Sequence, residues 1–112
     1  MFKLLETESE WNELLANNDI LILFKHSRTS PVSVDARERL KAVEYLIPNI
    51  YQIVVQDSEA LSQLIANELG IEHQSPQLLV IKDGRVVYHR DDGDVKGDQL
   101  VDFVKNLQRE SK

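Results

Sequence analysis

Residues 20–40, ILILFKHSRTSPVSVDARERL, decide the fold. Residues 20–24 form a continuous apolar run, as expected of a strand buried on both faces of a parallel sheet. A polar turn follows, Thr29-Ser30-Pro31-Val32-Ser33, and then an amphipathic helix. Pro31 suits the first helical position, because it has no N–H to satisfy there and its φ is already helical. Ser30 is then the N-cap. The tip of its side chain stands among unpaired N–H groups at the positive end of the helix. That field would lower the pKa of a cysteine in the same place; here the atom is a hydroxyl oxygen. The helix should show Val32, Ala36, Leu40, Val43 and Ile47 to the core and be broken by Pro48-Asn49.

Towards the N-terminus, residues 2–5 read as a short edge strand. Thr7 and Glu10 have the spacing of a capping box, and Trp11, Leu14 and Leu15 share one helical face that ends at Asn17-Asn18-Asp19. Towards the C-terminus, residues 50–55 form a second β-branched strand. Asp57 or Ser58 caps a helix with the stripe Leu61, Leu64, Ile65 and Leu69, and Gly70 ends it. A loop over residues 71–77 holds His73 and Ser75-Pro76. Residues 78–81 form a third strand, Asp83-Gly84 a hairpin turn, and residues 86–88 its antiparallel partner. After a polar stretch with two glycines, the last helix aligns Leu100, Phe103, Val104 and Leu107. The order β-α-β-α-β-α-β-β-α predicts an α/β sandwich with a central mixed sheet. Its site should lie beyond the carboxyl ends of the parallel strands. That edge carries the Ser30 turn and the loop ending at Pro76. A cis bond before Pro76 would expose the Ser75 backbone beside the Ser30 helix tip.

At 112 residues the chain is expected to be one domain, 1–112, with 42% hydrophobic and 29% charged residues. A net charge of −6 argues against nucleic acid as the main partner. No apolar run approaches ~18 residues, so no membrane-spanning helix is expected. MFKLLETESEW lacks a basic stretch followed by an apolar core, which makes a cytoplasmic location the default. The absence of cysteine excludes disulfides, thiolate metal sites and a cysteine nucleophile.

The order resembles the thioredoxin fold. Ser30-Pro31-Val32-Ser33 stands in the place of Cys-x-x-Cys, and residues 74–84, QSPQLLVIKDG, resemble the cis-proline, strand and glycine turn. More narrowly, KHSRTSPVS is similar to the KHS…TCPIS signature of the YtxJ-type monothiol bacilliredoxins. The resemblance covers nearly the whole chain. It implies an enzyme that removes bacillithiol from protein mixed disulfides, with bacillithiol or a related low-molecular-weight thiol as co-substrate, S-bacillithiolated proteins as partners and no permanently bound cofactor. The chain departs from that pattern twice. Ser30 occupies the nucleophile position, as either an introduced or a natural replacement. Residues 90–94, RDDGD, are more acidic than the Ser-His-containing stretch of that family.

Each candidate residue also has a plain structural reading. Ser30 alone is a favoured cap, and no base is poised to activate its hydroxyl, since His26 lacks an orienting Asp. Ser33, at the resolving position, is otherwise a polar first-turn residue. Lys25, His26 and Arg28 form either a solvated rim or a basic patch for an anionic thiol such as bacillithiol, whose malate group carries two carboxylates; Arg28 suits a bidentate carboxylate and a protonated His26 a thiolate. Thr29 and Pro31 complete the turn. Pro76 is either an ordinary strand opener or the cis-proline whose Ser75 backbone pairs with a substrate peptide. His26, His73 and His89 lie in separate segments without metal-ligand spacing. The run Asp91-Asp92-Gly93-Asp94 reads as a solvated turn. The other functional class is a non-catalytic binding or adaptor module on a thioredoxin-like scaffold.

Overall fold

The computed structural model describes residues 2–110. The elements are β1 (Phe2–Leu4), α1 (Glu8–Asn17), β2 (Ile20–His26), α2 (Pro31–Lys41), β3 (Ile50–Val54), α3 (Glu59–Leu69), β4 (Gln77–Lys82), β5 (Arg85–Asp91) and α4 (Gly97–Glu110), with 3-10 turns at Glu44–Leu46 and Asp92–Asp94. The five strands form one mixed sheet in the order β1-β3-β2-β4-β5. β3 runs parallel to β1 and β2, whereas β4 runs antiparallel to both β2 and β5. The architecture is thioredoxin-like.

Local chemistry sets most element ends. Thr7 caps α1 in a full capping box with Glu10. Gly70, at φ 67°, ends α3 in the left-handed region that glycine adopts without cost. Asp83 and Gly84, at φ 50° and 79°, supply the two positive-φ residues of a tight hairpin.

Strand alternation divides β2 between two cores. Ile22 and Phe24 pack with Ala36, Leu40, Leu100 and Val104 on the α2/α4 side. Leu21 and Leu23 pack with Trp11, Ile53, Leu61 and Ile65 on the α1/α3 side. All of these side chains are buried, and each contributes about 1.5–3 kcal/mol for its larger members. The same alternation sends Lys25 to the α3 side and His26 to the α2 side, because β2 extends two residues beyond the apolar run.

The expected stripe of α2 needs correcting. Val32 is 45% exposed, and the buried face is Ser33, Ala36 and Leu40. A spacing of four residues drifts about 40° round a helix at each step, so Val32 has turned out of a face centred on Ala36 and Leu40. The helix also stops at Lys41, before Val43 and Ile47, which flank a 3-10 turn. Ser58, rather than Asp57, stands at the N-cap of α3, without a side-chain capping bond. No helix among the described residues is long and apolar enough to cross a membrane.

Candidate functional site

The ends of β2 and β3 and the start of β4 meet at one edge of the sheet. His26 pairs with Val54, and Lys25 pairs with Gln77. That register puts Pro76 beside the last residue of β2, just before the turn that leads to Ser30. The Ser75–Pro76 peptide is cis. Pro76 is buried, and its carbonyl accepts from the Asp92 N–H at 3.0 Å, which ties the loop to the end of β5.

Ser30 has extended backbone angles, φ −96° and ψ 118°, and caps α2 with Pro31 directly after it. Its Oγ accepts from the Ser33 N–H at 3.2 Å, and its carbonyl accepts from Val34 N–H at 3.0 Å. No acidic residue stands in the first turn of α2 to oppose an anion at its tip. The position therefore offers a donor N–H and the positive end of an 11-residue helix to whatever atom side chain 30 carries.

Ser33 points away from that tip, into the protein. Its buried Oγ accepts from Ser27 N–H at 2.9 Å and lies 2.9 Å from His26 Nδ1. His26 Nδ1 is the one other partner of that hydroxyl among the described residues, so its hydrogen is satisfied when Nδ1 accepts, which favours the Nε2–H tautomer of the neutral ring. Burial first, and then the charges of Arg37 and Arg28, hold His26 below its ordinary pKa. The same surroundings work against the protonated ring that would stabilise a thiolate. Replacing Ser33 by Ala would strand the Ser27 N–H and His26 Nδ1. Denaturant unfolding of Ser33→Ala should read a loss of about 1–3 kcal/mol, and a loss below a few tenths would mean water or a shifted backbone replaces the hydroxyl.

The turn itself is clamped from the loop after β3. Gln56 Nε2 donates to Ser27 Oγ at 2.8 Å and Thr29 Oγ1 at 3.2 Å, while its Oε1 accepts from Arg28 N–H at 3.2 Å. Arg28 makes a bidentate pair with Asp57, with the Nη2 leg at 3.0 Å. Its guanidinium is therefore already matched to a carboxylate of its own chain. Gln56 and Asp57 were not among the sequence candidates; no motif marks a glutamine whose partners lie in another loop.

Lys25 is not on the rim. It is fully buried, and its Nζ donates to Ser62 O at 3.0 Å and lies 3.2 Å from His73 Nδ1. His73 Nδ1 also meets Ser62 Oγ at 3.0 Å. Burial pulls the Lys25 pKa down to about 8 against the opposing pull of Asp91. Asp91 is bonded to Gln77 Nε2 at 3.1 Å and to His89 Nε2 at 2.9 Å, so the first residue of the acidic run belongs to this polar layer and is not simply solvated. The three histidines serve three different partners, and among the described residues no three His, Asp or Glu side chains gather as a metal site.

Comparison with solved structures follows this geometry. A thioredoxin-fold protein described as a candidate oxidoreductase superposes with a TM-score of 0.83 at 27% identity, covering 90% of this chain and 91% of its own. A mutant thioredoxin from Halobacterium salinarum reaches 0.74 at 16% identity, over 94% and 88% of the two chains. Thioredoxin from Fasciola hepatica reaches 0.73 at 15% identity, over 93% and 97%. The last two speak for the fold alone. The family model described as monothiol bacilliredoxin BrxC matches residues 3–100, a span that includes the capped Ser30 turn, the clamp from Gln56 and Asp57 and the Ser75–Pro76 loop. The chain belongs to the monothiol bacilliredoxin family, with Ser30 in the place of the cysteine.

Proposed function

We propose that this fold serves bacillithiol removal from protein mixed disulfides, and that the chain with Ser30 keeps the binding surface but not the chemistry. A thiol–disulfide redox role is the coarser statement that the family match and the oxidoreductase-like neighbour support. The observation that carries the finer one is the Ser30 tip. A side-chain atom there faces a donor N–H at the end of a helix, on the sheet edge that also holds the cis Ser75–Pro76 peptide. With a cysteine at position 30, its thiolate attacks the bacillithiol sulfur of the mixed disulfide. A bond forms between that sulfur and the sulfur of residue 30, and the substrate protein leaves as a thiolate that takes a proton. The thiolate of a second bacillithiol then attacks the bound bacillithiol sulfur, which frees residue 30 and yields bacillithiol disulfide. Ser33 has no sulfur with which to resolve the adduct internally. Ser75, Pro76, Thr29 and Pro31 border the approach, and no permanent cofactor is needed. The partners are the low-molecular-weight thiol and thiolated proteins, in the cytoplasm.

The chain as it stands should release no bacillithiol from a bacillithiolated reporter protein above the buffer rate, as read by mass spectrometry. Turnover would sink the assignment of the chemistry to position 30. The complete absence of cysteine favours a second reading, a binding module on the same scaffold. The codon at position 30 of the natural gene separates the two. A cysteine codon supports the enzyme, and a serine codon supports the module.

A further inference from the structure

Beside the Ser30 turn runs a groove of about 280 Å³ between α2 and β3, lined in part by His26, Val34, Arg37, Gln52 and Val54. Arg37 is held in place there. Its Nε donates to Gln52 Oε1 at 2.9 Å, and its guanidinium lies 5.1 Å from the centre of the Phe2 ring. The two Nη groups have no hydrogen-bond partner among the described residues, so up to four N–H donors stay available in a planar fork. His26 adds a fifth. Its Nδ1 is occupied by Ser33, and stacking on Phe24 at 5.8 Å fixes the ring, which leaves Nε2–H as the free end.

Arg28 also lines the groove, but Asp57 already takes one N–H from each of its Nη groups and offsets its charge. Glu38 is the one acid on the lining, and it is exposed. The donors that face the groove without a carboxylate partner of their own are therefore the Arg37 guanidinium and the His26 imidazole N–H, between the apolar walls of Val34 and Val54. The groove is also joined to position 30 by hydrogen bonds. Val34 N–H bonds to Ser30 O, and Ser33 bridges Ser30 Oγ and His26 through its own N–H and Oγ.

We propose that this groove is the subsite for the carboxylate-bearing end of the low-molecular-weight thiol, with Arg37 as its anchor and Gln52 as the residue that orients Arg37. The assignment rests on the thiol-exchange reading and deepens it. It moves ligand selection from Lys25, buried against α3, and Arg28, paired with Asp57 at the surface, to two residues on α2 and β3. A thiol without a carboxylate can still reach position 30 but gains nothing from the groove. One that carries a carboxylate at the end remote from its sulfur, as the malate group of bacillithiol does, can pair with the fork in bidentate fashion.

The test uses the chain as it stands, isotope-labelled, in NMR titrations at constant ionic strength with reduced bacillithiol and with cysteamine. Bacillithiol should shift the Arg37 Nε–Hε and His26 ring signals, whereas cysteamine should leave both in place. Arg37→Gln should weaken bacillithiol binding about tenfold or more, the usual size of one charge-assisted contact. Gln52→Leu, which spares the guanidinium but not its orientation, should weaken it less. Shifts confined to the Ser30 turn, or equal affinity with and without Arg37, would overturn the subsite. The exchange reading is measured separately in the Ser30→Cys protein. If that protein exchanges bacillithiol and cysteamine disulfides at equal rates and Arg37→Gln slows neither, the chemistry stands and the subsite falls. If it exchanges nothing while bacillithiol still shifts Arg37, the subsite stands and the chemistry falls.

Discussion

Ser30→Cys should give a thiol with a pKa clearly below the ~8.5 of an ordinary cysteine, and that thiol should accept bacillithiol from a mixed disulfide. The reason lies in the backbone around position 30. The Ser33 N–H already points at the side-chain tip from 3.2 Å, and the α2 dipole adds to it without an opposing acid in the first turn. The neighbouring cations contribute less than their place in the sequence suggests. Lys25 faces α3, Arg28 is paired with Asp57, and burial holds His26 below its ordinary pKa. The expected lowering is thus a helix-tip effect, for which cysteines fall at roughly 3.5 to 7.5. Thiolate absorbance followed over pH gives the value. Exchange rate should rise through that same pKa and level off above it. Mass spectrometry should find one bacillithiol adduct that persists until a second thiol is added, because Ser33 Oγ is committed to Ser27 and His26 and has no sulfur. A pKa near ~8.5 with no adduct would reduce the turn to a capped helix start and favour the binding module.

The second large effect concerns Lys25. Its pKa in the folded chain is about 8, because burial penalises the ammonium more than Asp91 supports it. In the unfolded chain a lysine keeps its proton to about 10.4. Between those values the unfolded state binds more protons than the folded one, so stability should rise with pH from about 8 towards 10.4. Below that window the full cost of an ammonium in the interior is present, of the order of 3 kcal/mol at most. Lys25→Met keeps the length of the side chain and removes the charge. Ser62 O keeps its place in the helix, and His73 Nδ1 keeps Ser62 Oγ. The variant should be more stable than the parent by about 1–3 kcal/mol at pH 7, and it should lack the alkaline rise. Urea unfolding of both proteins at pH 7 and pH 10 checks this, and the difference between them isolates Lys25 from His73 and Tyr88. If Lys25→Met were destabilised at both pH values by a similar amount, the hydrogen bonds of the ammonium to Ser62 and His73 would outweigh its desolvation.

The elements legible in the sequence are those whose determinants are close neighbours. Thr7 and Glu10 are three residues apart, Ser30 and Pro31 adjacent, Asp83 and Gly84 adjacent, and each pair acts through backbone geometry that it sets by itself. The apolar runs and their order were sufficient for the mixed sheet, because a strand with no polar face must be covered on both sides. The Ser30 turn could be located for the same reason: a cap followed by proline is a local signal.

What the tertiary structure alone decided is where the charges go. Lys25 finds Ser62 37 residues away, Arg28 finds Asp57 29 residues away, and Arg37 finds Gln52 15 residues away. The linear spacing KHSR made one basic patch of three residues that the fold sends to three different places. A strand turns successive side chains to opposite faces, so Lys25 and His26 part company at once, and Arg28 lies beyond the strand, where the next loop supplies its acid. Nothing next to Arg37 in the sequence marks it, and it is β3 that brings Gln52 beside it. Local sequence determines backbone conformation through short-range sterics and hydrogen bonds. The partner of a charged side chain, by contrast, is chosen by whatever the packed sheet and helices bring within about 3 Å.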